Sequence, residues 1–89
     1  MANTVLFRGA FIRKVVVEVS FEDGLWLYRS NKLGLLSFGS TRADAKVSFA
    51  EDFEMMWDHV ASSSDNELAE DALRVKTELL KTVVPSLIL

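Results

Sequence analysis

The feature that most constrains the fold of this chain is an alternating apolar segment that ends in an Asp-Gly turn. Val15, Val17 and Val19 alternate with other side chains at the period of a half-buried strand. Asp23 and Gly24 follow, and this dipeptide readily adopts the positive φ angles of a tight hairpin. We therefore expect the chain to reverse here and to pair with the segment that comes next.

Around this hairpin the pattern predicts an α+β domain built on an antiparallel sheet of three or four strands. The expected strands cover residues 4–8, 11–21, 25–29 and 33–38, and Gly34 predicts a bulge or a close backbone approach in the last of them. Residues 14–57 thus form a β-β-β-α unit. Val16 interrupts the polar face of its strand, which predicts a partly covered second face or a contact between subunits.

Two helices are expected after the strands. Thr41 can cap the first helix, over residues 42–60, and Ser64 with Glu67 offers a capping box to the second, over about 65–83. The apolar stripe that should pack the first helix on the sheet has spacings of three and four and comprises Ala45, Phe49, Phe53, Met56, Trp57 and Val60.

Size and composition indicate one domain that associates with itself. The chain has 89 residues, too few for two independent cores, so residues 1–89 are expected to form a single domain with its core at about 11–61. With 49% hydrophobic residues, it has more apolar side chains than a domain of this size easily buries. We expect a homodimer or a higher oligomer.

The chain shows no feature of a secreted or membrane protein. It has no cysteine, which excludes disulfides and thiolate chemistry. Arg8, Arg13 and Lys14 interrupt the N-terminal apolar run before a signal-peptide core could form, and no apolar stretch is long enough to span a membrane. We expect a cytoplasmic protein without a membrane partner.

Charge is divided unevenly between the two halves of the chain. Residues 1–41 carry five basic and three acidic side chains, whereas residues 42–89 carry five basic and ten acidic ones. A phosphate backbone is bound by a concentrated basic patch. The acidic helices therefore suit a basic protein partner better than a nucleic acid.

The segment from Val15 to Val60 joins the hairpin to a short motif at the start of the first helix. This motif reads Gly-Ser-Thr-Arg-Ala-Asp-Ala over residues 39–45. Together these features resemble the HicB-like antitoxin family, which has a glycine hairpin, a glycine-containing strand and a G-x-T-x-x-E-A helix start. Asp44 replaces the family's glutamate, and no proline precedes Gly34.

The resemblance implies a partly reduced ribonuclease-H-like fold that acts without catalysis, by covering a small basic ribonuclease toxin. Glu51, Glu54 and Asp58 share a helix face and would complement such a toxin electrostatically, although acidic residues of this kind are more often ordinary solvated surface. The residues after Ser62 provide one helix and a short apolar stub, instead of a DNA-binding segment. DNA binding is therefore not expected.

No catalytic, metal or cofactor site is predicted. His59 is the only histidine, and its neighbour Asp58 points away from it on a helix, so the two cannot orient one another as a catalytic pair. Glu51, Glu54, Asp58 and His59 have spacings that some metal sites use, but an acidic helix face is the commoner explanation.

The aromatic residues and the C-terminus supply the remaining candidate contacts. Trp26 and Tyr28 lie two residues apart on one predicted strand and therefore share a face. They are candidates for partner binding, although aromatic side chains on strands more often pack in the core. With Arg29 they would also serve a small RNA-binding protein, and an oligomerising structural domain is a further alternative. The candidate oligomer interface is an apolar tail comprising Val83, Val84, Leu87, Ile88 and Leu89.

Overall fold

Four antiparallel strands form a meander in which each strand pairs with the next along the chain. The computed structural model describes residues 1–9 and 11–84. The sheet order is β1-β2-β3-β4. The elements are β1 (Ala2–Phe7), β2 (Arg13–Glu22), β3 (Leu25–Ser30), β4 (Leu35–Gly39), α1 (Arg42–Met56), a π-helical turn (Trp57–Ala61), a 3-10 turn (Asp65–Glu67) and α2 (Glu70–Lys81).

The predicted α+β fold and its central hairpin are confirmed. Glu22 pairs with Leu25 across a two-residue connection. Asp23 has φ 51° and Gly24 has φ 80°, which are the left-handed values that a tight hairpin between twisted strands requires. The turn chemistry of the sequence thus sets the register of β2 on β3.

The core lies between one face of the sheet and α1. Val15, Val17 and Val19 are at most 3% exposed, and Phe49 and Phe53 are fully buried. The stacked rings of Phe7 and Phe53 have centroids 4.1 Å apart. We call this covered side of the sheet the inner face. The alternation predicts its members Val15, Val17 and Val19, and the helical stripe predicts Phe49 and Phe53, which cover it from α1.

The last strand begins later than predicted. β4 starts at Leu35, and Gly34 belongs to the turn before it, where its φ of 68° is a left-handed value. At the other end of the strand, Gly39 meets the start of α1, because a Cβ there would lie 2.6 Å from the Ala45 nitrogen. The close backbone approach predicted for Gly34 therefore occurs at Gly39 instead.

The first helix starts as predicted and ends differently. The Asp44 amide donates to Thr41 Oγ1 at 3.0 Å, which confirms the N-terminal cap. The α-helix ends at Met56, and the chain continues as a π-helical turn to Ala61. Spacings of three and four residues fit either helix type over one turn, so the sequence pattern could not separate them.

The second helix is shorter than predicted. Ser64 and Glu67 form the capping box, and the hydrogen bond from the Ser64 hydroxyl lowers the pKa of Glu67. This box closes only a 3-10 turn, since Leu68 and Ala69 are extended before α2 begins at Glu70. Neither glycine nor proline marks this interruption, so local sequence signals do not reveal it.

The chain after α2 returns to the sheet. Val83 forms an antiparallel bridge with Arg13, and the Val84 amide donates to the Ile12 carbonyl at 2.8 Å. Val83 and Val84, predicted as an oligomer interface, are therefore half-buried against β2 of the same chain. The other three predicted tail residues, Leu87, Ile88 and Leu89, lie outside the described residues.

In the described part of the chain, no helix combines the length and the apolar character needed to span a bilayer.

Candidate protein-binding surface

The side of the sheet opposite α1 exposes several large apolar side chains. Val16 is 63% exposed, Phe38 58%, Leu6 55% and Leu36 49%. They lie on three different strands, and Leu27 on β3 adds a half-buried side chain. We call this surface the outer face; its large apolar members are Leu6, Val16, Leu25, Leu27, Leu36 and Phe38, and its charged members are Lys14, Glu18, Glu22 and Arg29.

The strand register divides the outer face into two apolar patches. Phe38 lies opposite Leu27, and Leu36 lies opposite Arg29. On the other side of the face, Leu6 and Val16 are diagonal neighbours on β1 and β2, because Leu6 is opposite residue 14. Between the patches, Glu18 of β2 faces Arg29 of β3. The outer face thus has apolar flanks and a charged centre.

A cleft opens where β2 extends beyond the end of β3. Its volume is about 500 Å³, and its lining includes Lys14, Arg29, Lys32 and Lys81. Lys81 is paired with Glu78 at 3.4 Å. The cleft is therefore a mildly basic border of the outer face.

The main-chain hydrogen bonding of β2 is incomplete at this cleft. Met1 and Val19 exchange hydrogen bonds of 2.9 and 2.7 Å, so odd-numbered residues of β2 point their main-chain groups towards β1 and even-numbered ones away from it. Lys14 follows this rule by donating to the Thr82 carbonyl at 2.8 Å. Val16, between Lys14 and the end of β3, has no main-chain partner among the described residues.

One residue of the predicted acidic helix face, Glu54, forms an ion pair within the chain. Glu51 and Asp58 are exposed, but Glu54 binds the guanidinium of Arg13, with Oε1 2.5 Å from Nη1 and Oε2 3.1 Å from Nη2. Arg13 is only 4% exposed, so its charge is compensated mainly by this carboxylate. Glu54 is therefore engaged within the chain, whereas Glu51 and Asp58 make no ion pair among the described residues; the contact of all three with a basic partner stays a prediction.

Arg13 is a buried charged residue that was not predicted from the sequence. Its guanidinium carbon lies 4.8 Å from the centroid of the Trp57 ring and 5.5 Å from that of Phe53, distances at which a cation is attracted to an aromatic face. It has the same parity on β2 as Val15 and Val17. That parity was the available signal that Arg13 points inward, towards α1.

The two aromatic candidates on β3 lie on the inner face. Tyr28 is 1% exposed, and its ring centroid is 6.2 Å from that of Phe49, so it belongs to the core and cannot contact a partner. Trp26 is partly buried and has the Arg42 guanidinium over its ring at 5.8 Å. Arg29 points to the outer face. These three residues therefore form no common platform on which RNA bases could stack.

The possible metal ligands do not converge. In residues 1–9 and 11–84, no group of three or more His, Asp or Glu side chains is placed to hold a metal ion. His59 instead has Nδ1 3.0 Å from the Met55 carbonyl of the preceding helical turn. This contact ties the ring to its own helix.

Comparison of the chain with protein-family models, curated proteins and solved structures found no match. Functional inference for this protein depends on the geometry of its own surfaces.

Proposed function

We infer that the chain is a non-enzymatic protein-binding module and that its outer face contacts the partner. The observation that carries this proposal is the exposure of large apolar side chains on the outer face of all four strands. Apolar side chains grouped in patches on a protein surface often mark interaction sites. The charged centre at Glu18 and Arg29 would fix the orientation of the partner.

The proposed partner is a small basic ribonuclease, as the resemblance to HicB-like antitoxins implies. The net charge of the chain is −3, which favours encounter with a basic protein. Glu51 on α1 and Asp58 in the π-helical turn are exposed, away from the apolar patches. Charges outside the main contact act mostly on the association rate, so their proposed role is steering.

The test of the binding surface compares the wild type with one outer-face variant and one control variant. The outer-face variant is Leu6→Lys/Val16→Lys, and the control is Val47→Lys, which changes an apolar side chain that is 56% exposed on α1. Tagged wild type and control should capture a small basic protein from cells that naturally express the chain, and the outer-face variant should not. The captured protein should cleave RNA, and added chain should inhibit that cleavage.

Capture of the same protein by the outer-face variant would contradict the assignment of the surface. A captured protein without ribonuclease activity would contradict the antitoxin function and leave a binding module of another kind.

The steering role has its own test. Glu51→Lys/Asp58→Lys should slow association with the captured protein by about tenfold at low salt, with a smaller effect at high salt. Glu70→Lys/Asp71→Lys makes the same charge change on α2 and is the control. Equal slowing by both variants would indicate a net-charge effect without a defined acidic surface.

An oligomerising structural domain is the second candidate function. It is favoured by β4, an edge strand of the sheet without charged residues, because such a strand can pair with a strand of another copy.

A further inference from the structure

β4 is an edge strand with an outward row of main-chain groups. Because even-numbered residues of β2 bond to β3, the odd-numbered residues of β3 bond to β2 and the even-numbered ones to β4. Leu35, Ser37 and Gly39 are their partners on β4. The N–H and C=O groups of Leu36 and Phe38 therefore point away from the sheet, and nothing in the described part of the chain pairs with them.

The opposite edge of the sheet, β1, differs from β4 in having one outward amide capped by a side chain. On β1 the outward Thr4 amide donates to the side chain of Asn3 at 2.9 Å. The Asn3 side chain occupies one outward donor of β1, whereas no side chain in the described part of the chain caps Leu36 or Phe38.

β4 lacks the residues that usually block edge-to-edge association. No residue from Leu33 to Thr41 is charged and none is proline. Leu36 and Phe38, whose main chains are unpaired, also expose apolar side chains on the outer face. An uncharged apolar edge strand readily pairs with another strand.

We propose that β4 pairs antiparallel with β4 of a second copy of this chain, about a two-fold axis at Ser37. Leu36 then lies opposite the partner's Phe38, and Phe38 opposite the partner's Leu36. Both are hydrogen-bonded positions, so the unpaired groups of the two strands form four main-chain hydrogen bonds. The side chains of each pair also meet on the outer face.

The second copy fits this edge by symmetry. A closed two-fold interface requires a surface that complements itself, and the outward groups of Leu36 and Phe38 are evenly placed on either side of Ser37. Pairing joins the two sheets into one of eight strands and extends the outer face across both copies.

A feature of α1 supports the same occupant. Asp52 accepts a hydrogen bond from Ser37 Oγ at 2.6 Å, which places this side of α1 above β4. Met55, one turn further along the same side, is 60% exposed. A second copy beside β4 would bring its own α1 towards this apolar side chain.

The first test separates main-chain pairing from side-chain contact. Leu36→Pro removes an outward N–H that makes no bond within the chain, and proline is tolerated at such edge positions. Leu36→Thr also removes the leucine side chain but keeps the N–H. Light scattering should give wild type a mass twice that of the 10.0 kDa chain, and Leu36→Pro should raise the dimer dissociation constant at least about tenfold relative to Leu36→Thr.

Circular dichroism establishes that both variants remain folded. A monomeric wild type at every accessible concentration would overturn the proposal, as would equal dissociation constants for the two folded variants.

The second test fixes the register. The chain has no cysteine, so Leu36→Cys/Phe38→Cys introduces the only thiols, on the exposed outer face. Opposed residues of a hydrogen-bonded pair have Cα atoms about 5.5 Å apart, within disulfide range. Mild oxidation should link two copies of this variant, whereas Leu36→Cys alone should stay unlinked because its two thiols lie diagonally across the axis.

A dimer that fails to link through residues 36 and 38, or that links equally through Leu36→Cys alone, would contradict this interface. The pairing goes beyond the proposed partner binding, and the two are tested at different strands. The partner is tested with variants of Leu6 and Val16, and the pairing of two copies is tested with variants of β4.

Discussion

The two faces of the sheet share the same strands and differ in what covers them. On β2, Val17 is 1% exposed and its neighbour Val16 is 63% exposed. Both are valines in a regular strand, and only the side to which each points separates them. The comparison shows that apolar character alone does not define the core of this protein, because α1 covers one face only.

This difference predicts that the energetic cost of a substitution follows the face and not the residue type. Four substitutions, measured by urea denaturation of the isolated chain, test that expectation in order of decreasing effect.

The largest loss is expected for Phe49→Ala. Phe49 is fully buried between α1 and the inner face and contacts Phe7 and Tyr28. Removing its ring leaves a cavity, and the unfolding free energy should fall by about 4 kcal/mol. A loss below about 1 kcal/mol would mean that α1 does not pack on the sheet as described.

Glu54→Ala should cost about 2 kcal/mol, because it leaves the Arg13 guanidinium buried without its carboxylate. The estimate lies below the value for a fully buried pair, since the Glu54 side chain is 44% exposed and water can enter. Glu51→Ala removes an exposed carboxylate from the same helix and is the control. Equal effects of the two substitutions would show that the pair contributes nothing.

Val17→Thr should cost about 1.5 kcal/mol, because it places a hydroxyl among apolar side chains of the inner face where valine is 1% exposed. The change keeps the size and the β-branching of the side chain. Stability that stays at the wild-type value would indicate that water reaches the inner face.

Val16→Thr should change the unfolding free energy by less than about 0.5 kcal/mol, because Val16 already faces solvent in the isolated chain. It makes the same chemical change as Val17→Thr one position away. A cost equal to that of Val17→Thr would indicate that the outer face is already covered in the isolated protein.

Most of the inner face could be predicted from the sequence. The alternation of Val15, Val17 and Val19 and the helical spacing of Phe49 and Phe53 both depend on short-range periodicity. Thr41 and the Asp-Gly turn act within a few residues of their own positions. These features need no knowledge of distant parts of the chain.

The contacts that the sequence did not reveal join distant segments of the chain. Glu54 was predicted as part of a free acidic surface, but Arg13, forty-one residues earlier, binds it. Val83 and Val84 pair with the β2 segment of their own chain, and their contact with a second copy stays a prediction. Tyr28 was a candidate for partner binding until the structure placed it under Phe49.

The candidate binding surface was visible only in part. Val16 interrupts the polar face of its strand, and this interruption is a local signal in the sequence. The grouping of Leu27, Leu36 and Phe38 depends on the register between β3 and β4, and sequence periodicity assigns a face without assigning the opposing residue. The unpaired edge of β4 likewise required the strand order.

The sequence by itself determined the α+β class, the central hairpin and most residues of the inner face, because turn chemistry and side-chain periodicity act over a few residues. Tertiary structure decided the partner of Arg13, the interruption before α2 and the side of the sheet that stays uncovered. Each of these depends on contacts between segments far apart in the chain, and such contacts form only when the whole domain packs.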